Sequence, residues 1–103
     1  MDKFENVEVD IKANSYFDGR VTSRKLTFAD GSIKTLGIMQ EGEYEFGTSE
    51  KELMEITSGE LQVKLPDSSV WRTFKGGSSF EVDANKTFSV RAKTLVDYCC
   101  SYS

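Results

Sequence analysis

The sequence predicts a single all-β domain, and three observations support this prediction. The chain has 103 residues, which is the length of one domain. Short runs in which apolar and polar residues alternate follow one another along the chain, as in strands with one buried face. Turn-forming pairs separate these runs, among them Asp18-Gly19 and Asp30-Gly31. This spacing is typical of a β-sandwich or a small barrel.

The chain divides into a short N-terminal arm and one domain. Residues 1–13 alternate only weakly, with apolar side chains at Val7, Val9 and Ile11. We interpret them as an extension that forms either an edge strand or a dimer contact. Residues 14–103 carry the strand pattern to the end of the chain and form the single predicted domain. A domain of this size buries a modest core, so a dimer interface would add stability.

About eight short strands are predicted in the domain, with no convincing helix. Their bounds are 21–28, 33–41, 53–57, 60–65, 70–75, 79–82, 87–93 and 96–102. In the second of these strands, Leu36, Ile38 and Gln40 share one face, which we expect to point inward. Between the second and third, Tyr44, Phe46 and Thr48 alternate with other residues and also share a face.

Composition excludes several classes of function. The net charge is −4 and basic residues are interleaved with acidic ones, so no phosphate-backbone footprint is present and nucleic-acid binding is not expected. No apolar run is long enough to span a membrane, and the polar N-terminus does not resemble a signal peptide. The chain has no histidine, which excludes a Cys-His catalytic pair. Adjacent Cys99 and Cys100 point to opposite faces of a strand, so we expect two free thiols in the reducing cytoplasm.

Glu52 and Gly59 lie seven positions apart. This interval resembles the first metal-binding motif of the cupin fold, in which a His-x-His pair precedes a glutamate and a glycine follows it. The two histidine positions of that motif fall on Phe46 and Thr48. Only the glutamate and the glycine of the motif are therefore retained.

The second cupin motif has its counterpart at residues 77–88. Gly77 keeps its place, Asp83 stands where the motif has a proline, and Asn85 stands where it has a glycine. The final histidine position falls on Phe88. Together with the strand pattern, the two spacings predict a cupin-type jelly-roll barrel or sandwich.

The substitutions at the ligand positions predict a pocket without a metal ion. Phenylalanine cannot bind a metal, and a threonine hydroxyl is a poor ligand for zinc or iron. Glu52 alone would not hold an ion. We therefore expect no metal cofactor.

Longer runs of the sequence resemble the pyrimidine/purine nucleoside phosphorylase family, which consists of small cupins that lack a metal. The runs are 14–21, 37–46, 54–61, 63–67, Trp71 and 98–102. The resemblance implies a glycosyltransferase (a pentosyltransferase) that cleaves purine and pyrimidine nucleosides to free base and ribose 1-phosphate. Inorganic phosphate would be the co-substrate. The resemblance also implies a homodimer without a metal cofactor.

The reaction implied by this resemblance requires particular catalytic side chains. Positive charge develops on the sugar in the transition state, which a nearby carboxylate would stabilise. Glu52 is therefore a candidate catalytic residue, and Thr48 is a second, with a hydroxyl for ribose or phosphate. The alternatives are that Glu52 lies in a solvated loop with Glu50 and Lys51, and that Thr48 satisfies a backbone group.

Substrate-binding candidates are aromatic or polar residues on the expected inner faces. Every base has a π-face, so stacking on aromatic rings suits both purines and pyrimidines. The candidates are Gln40, Tyr44, Phe46, Phe88, Tyr98 and Tyr102. For the aromatic residues among them, the alternative is that they only pack the core.

Arginine is the natural partner of a phosphate group. Arg72 is the candidate phosphate-binding residue, because it would share an apolar face with Val70 and Phe74. Arg91 is excluded, since Phe88 and its inward neighbours place it on the outer face. The alternative is that a dimer partner provides the phosphate-binding group.

A second function class stays open at this point. The chain would then be a non-catalytic cupin module that binds a small sugar-like or nucleotide ligand without converting it.

Overall fold

The computed structural model describes residues 3–103, which form eleven β-strands and no helix. The strands are β1 (Glu8–Val9), β2 (Asn14–Tyr16), β3 (Val21–Thr27), β4 (Ile33–Met39), β5 (Gly42–Gly47), β6 (Glu52–Ser58), β7 (Glu60–Lys64), β8 (Trp71–Lys75), β9 (Ser78–Val82), β10 (Thr87–Ala92) and β11 (Val96–Tyr102). The prediction of an all-β domain is confirmed.

The strands form two antiparallel sheets that face each other. The larger sheet has seven strands in the order β1-β3-β4-β11-β6-β9, with β2 also paired to β3. The smaller sheet has four strands in the order β5-β10-β7-β8. From β4 onward the chain passes back and forth between the two sheets, so that each sheet is assembled from distant parts of the sequence.

Alternation within the strands produces the core between the sheets. In β7, Leu61 and Val63 are fully buried, and in β10 Phe88, Val90 and Ala92 are buried. Full burial of one such aliphatic side chain contributes about 1.5–3 kcal/mol, as an upper value. The inward face predicted for Phe88 and its neighbours in β10 is confirmed.

The N-terminal arm extends the free edge of β3. Glu8 and Val9 of β1 pair with Thr27 and Leu26, and β2 pairs with the first three residues of the same strand. Strand β1 lies at the edge of the larger sheet. The strand β2 was not predicted, because its three residues are exposed and carry no apolar alternation. The domain boundary proposed at residue 13 stays a prediction.

The inward face predicted for β4 is wrong. Thr35 and Met39 are buried, whereas Leu36 and Ile38 are 40% and 41% exposed. Gln40, which was expected to follow them inward, is exposed as well. The strand carries apolar residues on both faces, so its alternation alone does not orient it.

Gly59 of the first motif has a structural role at the turn between β6 and β7. Its φ angle is 95°, a conformation that glycine adopts without strain. A Cβ atom there would overlap the backbone of Leu95 and lie 3.0 Å from the Cα of Val96. The glycine thus permits a close approach of the turn that leads into β11.

Gly37 creates the space in which Tyr98 lies. The two residues are paired across β4 and β11. A Cβ atom at Gly37 would overlap both the carbonyl oxygen of Thr22 and the ring of Tyr98. The tyrosine therefore lies flat across the glycine instead of beside a side chain.

We predict that Gly37→Ala destabilises the protein by about 1–3 kcal/mol, because an added methyl group in a packed region forces neighbours to shift. Urea denaturation at neutral pH measures the effect. The matched control is Gly47→Ala, where the nearest atom to an added Cβ is 3.9 Å away. Equal free energies of unfolding for the two variants would contradict the close packing of Tyr98 on Gly37.

Candidate active site

A cavity of about 110 Å³ lies between the two sheets. Both sheets contribute to its walls, and the larger sheet provides most of the polar groups. The lining residues are Tyr16, Ser23, Thr35, Met39, Phe46, Gly47, Glu52, Met54, Phe88, Tyr98, Cys100 and Tyr102. We call this space the inner cavity.

Strand β11 provides three of these residues because it occupies the middle of the larger sheet, between β4 and β6. Tyr98, Cys100 and Tyr102 alternate along it, so all three point inward. Cys100 lies opposite Thr35 on one side, and Tyr102 lies opposite Glu52 on the other. The strand thereby lines one wall with two hydroxyl groups and a thiol.

An aromatic pair forms the facing wall. Phe46 of β5 and Phe88 of β10 lie directly opposite each other in the smaller sheet, with ring centroids 5.7 Å apart. Phe17 packs edge-on against Phe46 at 5.6 Å. Phe46 and Phe88 stand at two of the histidine positions of the cupin motif, and here their rings, inclined to each other by 33°, form an apolar wall of the cavity.

Glu52 is the carboxylate of the cavity. It begins β6 and is half-buried. Burial raises its pKa, the charge of Glu50 raises it further, and a hydrogen-bonding interaction with the Cys100 thiol lowers it. A half-buried carboxylate attracts a nearby cationic group more strongly than an exposed one, because its surroundings screen the charge less than water does.

The hydroxyl and thiol groups around Glu52 stay protonated at neutral pH. Burial raises the pKa of Cys100 to about 12, and burial also raises the pKa of Tyr98 and of Tyr102. The Tyr102 hydroxyl lies 3.1 Å from the Thr35 hydroxyl. These groups therefore act as hydrogen-bond donors and not as bases.

Five of the predicted site residues line the inner cavity, and four do not. Glu52, Phe46, Phe88, Tyr98 and Tyr102 converge there. Thr48 does not: it is 8% exposed, and its hydroxyl donates to the Asp83 and Lys86 carbonyls and accepts from the Lys86 amide. The predicted placement of Thr48 in the cavity is wrong, since its hydroxyl satisfies backbone groups.

Tyr44 and Gln40 also lie outside the cavity lining. Tyr44 is buried in the core, and its hydroxyl donates to the Gln40 carbonyl at 2.7 Å. This contact fixes the turn that leads from β4 into β5. Gln40 is exposed in the connection between β4 and β5, so the inward placement predicted for it is wrong.

Arg72 is exposed near the edge of the smaller sheet, in β8. Its guanidinium lies 5.4 Å from the centre of the Phe74 ring. It does not line the inner cavity, so the predicted inward placement is wrong. Arg91, by contrast, faces outward as predicted and stacks on Trp71 at 3.8 Å.

The sequence did not single out Tyr16, Ser23, Thr35 or Cys100, which line the cavity. Alternation contained a signal for Cys100, because it shares a face with Tyr98 and Tyr102. The positions of the other three at the cavity depend on the orientation of β4 and on the pairing of β2 with β3. No local sequence pattern predicts either of these.

Two further concave surfaces lie near the site. An open cavity of about 450 Å³, here called the outer cavity, meets the inner cavity at Thr35 and Tyr102, which line both. A larger groove of about 770 Å³ lies on the opposite, outer face of the larger sheet, where Phe4, Leu36 and Cys99 contribute to its walls. The groove is separated from the inner cavity by the sheet itself.

Residues 3–103 contain no group of three or more His, Cys, Asp or Glu side chains that could hold a metal ion. The expected independence from metals stays a prediction. In the same part of the chain, no helix is long and apolar enough to cross a membrane.

Comparison with known proteins identifies the family. A family model for pyrimidine/purine nucleoside phosphorylase matches residues 11–102. A protein of that name from Sulfurovum sp. (strain NBC37-1) is 63% identical over 102 residues, covering 99% of each chain. The chain belongs to the pyrimidine/purine nucleoside phosphorylase family. The family member from Colwellia psychrerythraea is 59% identical over 102 residues, covering 99% of this chain and 98% of its own.

Solved structures confirm the predicted cupin-type fold. A crystal structure of a protein of unknown function from Acinetobacter sp. ADP1 superposes with a TM-score of 0.95 at 38% identity, over 98% of both chains. An RmlC-like cupin from Shewanella frigidimarina superposes with a TM-score of 0.71 at 18% identity, over 96% of this chain and 85% of that one.

The raised pKa of Glu52 predicts a pH-dependent effect of Glu52→Gln on stability. The folded protein takes up this proton at a higher pH than the unfolded chain, whose carboxyl has the ordinary pKa near 4.5. The free energy of unfolding therefore falls as pH rises through the window above 4.5. Glu52→Gln cannot ionise, so it should be more stable than the wild type at about pH 8 and should converge with it below about pH 4.

Urea denaturation across this pH range measures the effect. Glu45→Gln, on the exposed side of β5, controls for the loss of one surface charge. A Glu52→Gln variant that is less stable than the wild type at pH 8 would contradict the burial of the carboxylate.

Proposed function

We propose that the protein is a nucleoside phosphorylase that uses inorganic phosphate to cleave purine and pyrimidine nucleosides, releasing free base and ribose 1-phosphate. This makes it a glycosyltransferase of the pentosyltransferase class. Membership in the family supports the proposal, because its curated members carry the name pyrimidine/purine nucleoside phosphorylase. The observation that carries it is the position of Glu52, which lines the same small cavity as the aromatic pair Phe46 and Phe88.

Glu52 would act on the sugar. Phosphate attacks the anomeric carbon while the bond from that carbon to the base nitrogen breaks, and the sugar becomes cationic between the two events. A carboxylate beside the ring stabilises this charge more strongly in the transition state than in the ground state. Glu52 also accepts hydrogen bonds from ribose hydroxyls, which would position the ring.

Phe46 and Phe88 would hold the base by stacking. Stacking does not depend on the pattern of donors and acceptors on the base, so one surface suits both purines and pyrimidines. The departing base takes the electron pair of the broken bond. Tyr98 and Tyr102 would stabilise this charge by donating hydrogen bonds, because their raised pKa values keep both hydroxyls protonated.

The proposed mechanism needs no metal ion, since Glu52 and the tyrosine hydroxyls act on the sugar and the base directly. We also propose that the enzyme works in the cytoplasm. Cys99 and Cys100 are buried free thiols, as is usual in a reducing compartment.

The outer face of the larger sheet supports a homodimer. Leu36 and Ile38 of β4 are large apolar residues that are about two-fifths exposed there, and the groove beside Leu36 also includes Phe4. Apolar patches on a small domain mark surfaces that another chain covers. A second copy of this chain would bury them, and the inner cavity would stay accessible because it lies on the other side of the sheet.

We predict that the wild type elutes as a dimer in size-exclusion chromatography with light scattering, and that Leu36→Glu shifts it to the monomer. The reason is that the interface would then bury an unpaired charge. Leu95→Glu is the matched control, because Leu95 is equally apolar and 57% exposed, lies between β10 and β11, and does not line the groove. A monomeric wild type, or equal shifts in both variants, would contradict the proposed interface.

The central prediction is phosphate-dependent release of free base. Purified protein incubated with uridine or inosine should release base and form ribose 1-phosphate only when phosphate is present, and a chelator should leave the rate unchanged.

Glu52→Gln should lower kcat/KM on the order of 100-fold or more while the protein stays folded, because it removes the charge that faces the sugar. Chromatography of bases and sugar phosphates measures both.

Three results would contradict the proposal. Equal release of base with and without phosphate would indicate a hydrolase. Loss of activity with the chelator would restore a metal-dependent mechanism. Thermal stabilisation by nucleosides without turnover of any nucleoside would favour a non-catalytic binding module.

A further inference from the structure

We propose that phosphate binds in the outer cavity, with the Lys25 ammonium as its cationic partner, at the junction formed by Thr35 and Tyr102. This inference rests on the proposed function and assigns a place to its co-substrate. Lys25 takes the place of the earlier phosphate-binding candidate, Arg72, which lines neither cavity.

Lys25 faces the interior side of the larger sheet. It lies on β3 opposite Thr35 of β4, and Thr35 is a buried residue that lines both cavities. Because paired residues in an antiparallel sheet point to the same face, the lysine side chain extends on the cavity side. The residue is half-buried and lines the outer cavity.

Among the described residues that line the two cavities, Lys25 is the only basic one. Within residues 3–103 no carboxylate lies within 4.0 Å of its ammonium group, so its charge is not neutralised by an ion pair. The arginines are engaged elsewhere: Arg20 over Tyr44, Arg24 with the Ile11 carbonyl, Arg72 over Phe74, and Arg91 with Glu43.

The junction also provides neutral donors. The hydroxyls of Thr35 and Tyr102 lie 3.1 Å apart where the two cavities meet. Both groups rotate, so either can present a hydrogen to a phosphate oxygen. An ammonium together with hydroxyl donors is a suitable environment for a multiply charged oxyanion.

The sizes of the cavities fit this division. The inner cavity, at about 110 Å³, is smaller than the roughly 300–1,000 Å³ of typical ligand pockets. Joined to the outer cavity of about 450 Å³, it reaches that range. A base on Phe46 and Phe88 would then direct the sugar toward Glu52 and the junction. Phosphate at the junction would meet the sugar on the side away from the base, as displacement requires.

Glu50 lines the outer cavity as well. Its negative charge would oppose a bound phosphate, so it provides a test of opposite sign. Glu50→Gln should lower the KM for phosphate, because it removes a like charge from the site.

The experiment compares Lys25→Met, Lys25→Arg and Lys93→Met in steady-state phosphorolysis. Lys25→Met should raise the KM for phosphate by at least about tenfold, as expected for a lost hydrogen bond to a charged group. The KM for the nucleoside and the melting temperature should change little. Lys25→Arg should retain most of the phosphate affinity. Lys93→Met removes an exposed lysine from a turn outside both cavities and should match the wild type.

Direct binding separates this inference from the proposed function. Calorimetry with inorganic phosphate and no nucleoside should show binding to the wild type that weakens in Lys25→Met, whether or not any nucleoside is cleaved. Wild-type phosphorolysis with an unchanged KM for phosphate in Lys25→Met would overturn the inference and leave the proposed function standing. An equal rise in both KM values would also overturn it, because it would indicate a general disturbance of the site.

Discussion

The partial burial of one carboxylate between two sheets is the constraint on which the site depends. Glu52 begins β6 at the inner cavity and is half-buried, and a carboxylate partly removed from water needs polar neighbours. The fold provides them from β11, whose alternating Tyr98, Cys100 and Tyr102 point to the same space. These groups remain protonated because burial raises each pKa. A negative group surrounded by donors, and facing aromatic rings, is an arrangement suited to a sugar that becomes cationic.

The ligand positions of the cupin motif carry aromatic rings in this chain. The motif spacing places two of these positions on strands of the smaller sheet, and Glu52 lies on the larger sheet. Here Phe46 and Phe88 occupy those places and lie in register, with ring centroids 5.7 Å apart. Under the proposed function, these two residues form the stacking surface for the base. Substrate orientation would then come from stacking, and charge stabilisation from Glu52.

Alternation predicted the parts of the site that lie on strands with one apolar face. Phe46, Phe88, Tyr98 and Tyr102 were placed correctly for this reason, and the Glu-to-Gly spacing located Glu52. Alternation gave the wrong face for β4, where Leu36 and Ile38 are apolar but face outward. The prediction for Gln40 was wrong for the same reason. Thr48 was misplaced because its hydroxyl bonds to backbone groups instead of pointing into the cavity. Arg72 was misplaced because β8 lies at the edge of the smaller sheet, where its side chain is exposed. Lys25 and Thr35 could not be placed at the cavity without the register of β3 and β4, which pairs residues that are distant in sequence.

A crystal structure of the complex with ribose 1-phosphate tests directly whether the inner cavity holds the sugar against Glu52. The predicted result is a ribose ring in contact with the Glu52 carboxylate, between the Phe46–Phe88 pair and Tyr102. A sugar bound instead in the groove beside Phe4 and Cys99, with the inner cavity empty, would contradict the claim.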